Sequence, residues 1–153
     1  MRKFLSIVGG LFLLLVLAIV SFVGYAAYQG RGLDASSKAY VEANVPAVTA
    51  TWSKEELLKR ASPQLLKIIG EKPEQLDQLF RKLSQLGAMR SLTDLKGDSN
   101  VSYTTQNGKI TTAQYVGHAQ FEHGEGEITI RLIQLSGQWQ FVLFHVDSPL
   151  FLR

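Results

Sequence analysis

The chain contains no cysteine, which excludes disulfides, thiol chemistry and a lipid-modified cysteine anchor together. Its fold must therefore be held by burial of apolar side chains. It also lacks a basic stripe. With Arg2 and Lys3 set aside, fourteen basic residues stand against thirteen acidic ones, and both signs are mixed along the chain. A nucleic-acid binder would concentrate lysine and arginine on one face, so nucleic acid is not an expected partner. Internal repeats and low-complexity tracts are absent as well.

Charge is missing altogether from Phe4 to Gly30, and Leu11 to Val20 is wholly aliphatic or aromatic. Such a stretch can cross a hydrocarbon core, which takes about 20 apolar residues. Arg2 and Lys3 precede it, so the positive-inside preference puts the N-terminus in the cytoplasm and everything after Arg31 on the far side. Tyr25 and Tyr28 suit an interfacial aromatic belt at its outer end. A cleaved signal peptide is the competing reading, with Gly24-Tyr25-Ala26 as a small-residue cleavage site, but a signal h-region is about 7 to 15 residues and this run is longer. The expected organisation is a transmembrane signal-anchor over 1–30, with residues 4–28 in the membrane, a small polar linker over 31–37, and a folded domain over 38–153.

The region from Ile110 to Asp147 reads as strands. Ala113, Tyr115, Gly117, Ala119 and Phe121 alternate with Gln114, Val116, His118 and Gln120, the period-two pattern of a half-buried strand. A turn at Gly124-Glu125 sets Phe121 opposite Ile128, Ala119 opposite Ile130 and Gly117 opposite Leu132. A second turn at Ser136-Gly137 sets Leu132 opposite Phe141, Ile130 opposite Leu143 and Ile128 opposite His145. Both registers bring apolar residues to one face, and a one-residue slip in either would break the agreement. Before them, Val101 to Gln106 leads into Asn107-Gly108, a type I′ hairpin signal, and Met89 to Leu95 reads as a further strand ending at Gly97-Asp98.

Helical spacing occupies the region between. Val41, Val45, Val48 and Trp52 share one helical face, interrupted by Pro46. Ser53 and Glu56 have capping-box spacing, and Ser62-Pro63 pairs an N-cap serine with proline at the first helical position. The helix it starts carries Leu65, Leu66, Ile68 and Ile69. Over Pro73 to Leu86 the residues Leu76, Leu79, Phe80, Leu83 and Leu86 recur at helical spacing, and Gly87 supplies the stop. Leu79 and Phe80 are both expected in the core. Helices followed by an antiparallel meander make an α+β fold, with the helices packed on one face of a curved sheet of four to five strands.

The run Trp52-Ser53-Lys54-Glu55-Glu56-Leu57-Leu58, the Ala61-Ser62-Pro63 helix start, and Gly137-Gln138-Trp139-Gln140-Phe141 followed by Ser148-Pro149 carry a resemblance. Together with the order and size of the elements, they resemble small bacterial envelope domains of the nuclear transport factor 2-like, or cystatin-like, superfamily, over about Asp34 to Arg153. The resemblance implies a cone of helices wrapped into a bent sheet, often around a cavity, and a place in the bacterial inner (plasma) membrane with the C-terminal domain periplasmic or extracellular. Bacterial secretion-channel subunits of that superfamily share the single N-terminal span. Its features are structural, so no catalytic residue carries over, and fold likeness does not establish function.

Taken singly, the polar candidates are sparse. His145 falls on the apolar face, where it reads as a core-edge histidine bonded to a backbone carbonyl, with a pocket base or ligand contact as the alternative. His118 is expected beside Arg131 on the opposite face, and His123 sits in the Gly124 turn between Glu122 and Gly124. None belongs to a motif with metal-ligand spacing. The glycines at 124 and 126 make no phosphate loop, since no helix start follows. Tyr115 and Trp139, placed in one row across Gln134, could line a cavity mouth together with Gly117 and His145. Alternation sends Val142, Phe144 and Val146 to the helix-free face, where an apolar stripe in a polar frame suggests an interface. No residue is assigned a catalytic, cofactor or metal role, and no cofactor is expected. The functional expectation is a noncatalytic anchored domain for protein interaction or assembly, as a protein partner's module or a homo-oligomer. The alternatives are a carrier of a small apolar ligand and a ketosteroid-isomerase-like enzyme using the sheet cavity.

Overall fold

The computed structural model describes the backbone of residues 2–152 and the side chains of residues 14–25, 28 and 30–152. The side chains of Arg2, Lys3 and Ala26, on which orientation and cleavage expectations rest, lie outside the described residues. The elements in order are helices α1 (Arg2–Thr49), α2 (Lys54–Arg60), α3 (Pro63–Glu71) and α4 (Pro73–Leu83), then strands β1 (Met89–Thr104), β2 (Gly108–Phe121), β3 (Glu125–Leu135) and β4 (Gln138–Asp147). Short 3-10 turns follow α4 and β4. Contacts divide the chain into two units, Met1–Leu33 and Asp34–Arg153.

The first unit is helical, and its helix is long and apolar enough to cross a membrane. Its described apolar side chains between Leu14 and Tyr28 are exposed, Phe22 at 73% and Leu14 at 66%. A core helix would have buried them.

The second unit is an α+β domain whose sheet has the order β1-β2-β3-β4, all antiparallel and not closed. The segment expected as a linker, residues 31–37, is helical instead. Ser37 is fully buried and its Oγ lies 2.7 Å from the Tyr115 hydroxyl, and Ser36 accepts from Trp139 Nε1, so from Asp34 on these small polar residues belong to the folded domain. Val41, Val45 and Val48 are fully buried, and Tyr40 meets Phe141 edge-on at 5.5 Å. Pro46 lies within α1 without ending it. Trp52 then rests on Phe121 at 5.6 Å between ring centroids.

Both helices start where the cap signals place them, although the Glu56 carboxylate binds Lys59 and Arg60 and leaves the capping box half formed. Ser53 accepts from Glu56 N at 3.4 Å and Ser62 from Leu65 N at 3.2 Å. Helix α4 differs from expectation in its end and in its face. It closes at Leu83 with a 3-10 turn over Ser84–Leu86, and Gly87 takes φ +75° as the stop. Phe80 is 7% exposed while Leu79 is 45% exposed, so the core stripe is Phe80, Leu83 and Leu86. Helix α3 buries no residue at all.

The sheet corrects several register expectations. Residues 89–104 form one strand, interrupted by irregularities between Met89 and Ser91 and between Thr93 and Lys96, with Asp94 at φ +53°. Gly97 lies inside it, because a Cβ there would stand 1.9 Å from the Gln114 carbonyl oxygen. Thr104 pairs with Gly108, and only Gly108 takes positive φ at that turn, whereas a type I′ turn needs it at both central residues. Ser136 and Gly137, at φ +50° and +77°, do meet that requirement. Between β2 and β3 the partners are Tyr115 with Ile130 and Gly117 with Ile128. That is four residues from the expected register, so the side chains keep their faces. Between β3 and β4, Leu132 faces Phe141 as expected, but an irregularity follows, and Ile130 pairs with Phe144 and Ile128 with Val146.

Candidate functional site

That β4 irregularity is a bulge: Phe141 pairs with Leu132 and Leu143 with Arg131, so Val142 is the extra residue. A bulge shifts the alternation by one for the rest of a strand. Phe144 and Val146 consequently join the helix-covered face, where Val146 is buried and Phe144 stacks edge-on against Phe141 at 5.8 Å. His145 is turned outward and exposed. The expected interface of Val142, Phe144 and Val146 on one free face therefore does not form, and neither does the expected inward position of His145.

The four candidate cavity residues are not brought together. Tyr115 is buried, its hydroxyl donating to the Asp34 carbonyl at 3.0 Å. Burial pushes its pKa up, against the opposing pull of the Ser37 hydrogen bond. Trp139 pairs across Gln134, which in turn pairs with Thr111 rather than Tyr115. Its Nε1 donates to Ser36 Oγ at 3.0 Å, and it borders a cleft of about 490 Å³ with Tyr40, Asn44 and Arg60. Gly117 makes room for the side chains of Leu92 and Leu95, each 3.1 Å from where its Cβ would be. The helix-covered face of the sheet is thus packed: Tyr115, Phe141, Leu86, Ile128, Ile130 and Leu132 are almost completely buried.

The histidines are also separate. His118 pairs across the sheet with Glu127, not Arg131, and His145 with Thr129. His123 N donates to the Leu86 carbonyl at 2.9 Å. Among the described residues no group of three histidine, aspartate or glutamate side chains could hold a metal ion.

What remains is the face of the sheet opposite the second unit's helices. Across its middle run Asp98, Gln114 and Arg131, with Val142 and Leu143 both beside Arg131 because of the bulge. Arg131 Nε donates to Gln114 Oε1 at 3.0 Å, which orients the guanidinium across the strands. Val116, Ile133, Val142 and Leu143 are half-buried on this side. A cleft of about 410 Å³ opens there, bounded by Asp98, Asn100, Thr112, Gln114, Arg131 and Val142. Chemically this is an apolar patch with one cation, one carboxylate and several amide and hydroxyl groups around it. The bulge was the feature missed from sequence. Its only trace is the run Phe141-Val142-Leu143-Phe144, apolar at every position, where strict alternation has nothing to fix the phase.

Comparison of the chain with protein-family models, with characterised proteins and with solved structures found no match.

Proposed function

We propose that the protein is a single-pass membrane protein, its N-terminus cytoplasmic, whose second unit is a noncatalytic module that docks another envelope protein through the open face of its sheet. The observation that carries this is the half-buried cluster Val116, Ile133, Val142 and Leu143 around Arg131, on the face opposite the second unit's helices. Apolar side chains framed by polar ones are the make-up of a transient protein interface. The filled interior supports a module over a carrier or a cavity enzyme, both of which need internal space. His145, the base such an enzyme would use, stands outside.

A photo-crosslinking residue at Leu143, introduced in the full chain in intact membranes, should capture a discrete protein, and the same residue at Gln78 on α4 should not. Substitution Leu143→Glu should abolish that capture while the melting temperature stays unchanged. Equal capture from both positions would sink the docking surface.

A further inference from the structure

The second unit begins at Asp34, and Asp34 stands at one particular end of the sheet. Its carboxylate accepts from the Ser99 backbone N–H at 2.7 Å and from the Ser99 hydroxyl, whereas Trp52 lies on Phe121 at the other end. The two turns that join β1 to β2 and β3 to β4 are both at the Asp34 end, where Thr104 pairs with Gly108 and Leu135 with Gln138. The first of them reaches about five residues past Ser99, or roughly 17 Å at the rise of a strand.

The two ends of the sheet differ in chemistry. From Ser99 to Gly108 and from Leu132 to Phe144 the sequence has no charged residue; Asp98 and Lys109 flank the first stretch, with Lys109 the one nearer the hairpin tip, and Arg131 and His145 flank the second. At the opposite end stand four carboxylates, Glu122, Glu125, Glu127 and Asp147, against the single arginine Arg90, so that end is acidic on balance. Tyr103 is 76% exposed near the uncharged tip, with Val101 and Ile110 half-buried beside it. Tyrosine and lysine on a neutral, partly aliphatic base suit the headgroup region of a bilayer, and an acidic end is what an anionic lipid surface repels.

We infer that the β1–β2 hairpin tip, residues 101–110, rests in the headgroup layer of the membrane that segment 4–28 crosses, which presupposes the single-pass placement proposed above. Chain length permits it. Residues 29–33 keep Asp34 within about 20 Å of the end of the apolar segment even if fully extended. The lipid contact turns the acidic end of the sheet away from the membrane.

The absence of cysteine allows single labels without background. Tyr103→Cys, Gln106→Cys and Glu122→Cys would each be made in the full chain, carry a nitroxide, and be reconstituted in vesicles of phosphatidylethanolamine and phosphatidylglycerol. Labels at 103 and 106 should be relaxed by a nickel-chelating lipid and shielded several-fold from a water-soluble nickel complex, relative to 122. In the Gln106→Cys protein, adding Tyr103→Ser should reduce that shielding. Equal aqueous access at all three positions in a chain that floats with the vesicles overturns the lipid contact and leaves the membrane span standing. A chain that does not float overturns both. Shielding without relaxation by the nickel lipid, or spin–spin broadening at 103, assigns the tip to a protein strand or a second copy and overturns it equally.

Discussion

Asp34 and Ser99 lie 65 positions apart in the chain and are joined by two hydrogen bonds, the Asp34 carboxylate accepting from both the backbone N–H and the hydroxyl of Ser99. The carboxylate occupies the place that a neighbouring strand's carbonyl would take on the outer edge of β1, and it ties that edge to the helix. Hydrogen bonds to a charged group contribute about 1.5–3 kcal/mol. Asp34→Ala should therefore destabilise the second unit by about that amount in thermal or urea unfolding. A loss well under this would mean that the edge is held by β2 alone.

The core assignments separate neighbours in α4. Phe80→Ala should cost about 3–5 kcal/mol, as large-to-small core changes do. Leu79→Ala should stay within about 0.5 kcal/mol, as at other exposed positions. Equal losses at the two sites in denaturant titrations would show that α4 is rotated from the placement described.

Much of this fold is legible in the sequence, and the places where it is not have physical causes. Caps declare themselves, since Ser53 and Ser62 satisfy backbone donors with local side-chain oxygens. The Ser136-Gly137 turn does so through its need for positive φ. Which of Leu79 and Phe80 faces inward is hidden, because both fit a helical stripe and the choice belongs to the partner surface. Residues 31–37 read as a linker because small polar residues are common there. Only the tertiary bonds of Asp34, Ser36 and Ser37 to strand residues show why they are small. Neither the Ala61 bridge to Phe141 nor the Ser62 N–H that donates to the Phe141 carbonyl at 2.8 Å, which cover part of the β4 edge, left a local signal.

Gly97 tests the β1–β2 pairing directly. A methyl group there would collide with the Gln114 carbonyl, and backbone cannot swing aside as a flexible side chain can. Gly97→Ala should destabilise by about 1–3 kcal/mol or more through overpacking, with the hydrogen-exchange protection of Asp98–Thr104 falling first. Unchanged protection would place β1 farther from β2 than the register implies.

Tyr115 gives the domain an alkaline limit. Burial raises its pKa above the ordinary value of about 10, so above that pH the unfolded chain releases a proton that the folded chain retains. Stability is then fully present below about pH 10 and is lost as pH rises from there through the folded pKa. Tyr115→Phe should cost roughly 0.5–1.5 kcal/mol at neutral pH, for the hydrogen bond, and should flatten the fall above pH 10. Parallel stability profiles for the two proteins would remove Tyr115 as the cause.

The bulge at Val142 decides which side of β4 is core, and it can be tested by removing it. With Val142 deleted, Leu143 still faces Arg131, Phe144 still faces Ile130 and Val146 still faces Ile128, because only the extra residue is lost from the register. The deletion variant should fold and keep most of its stability, whereas a single deletion inside a regular strand flips every later side chain. Point substitutions read the same geometry. Val146→Asp places an unpaired carboxylate in a buried site and should unfold the domain or cost several kcal/mol. His145→Asp, at an exposed position, should stay within about 0.5 kcal/mol. Circular dichroism and urea titration of the three variants supply the answer. A tolerant Val146→Asp together with a damaging His145→Asp would restore unbroken alternation and move Leu143 from the open face to the core, taking the proposed docking surface with it.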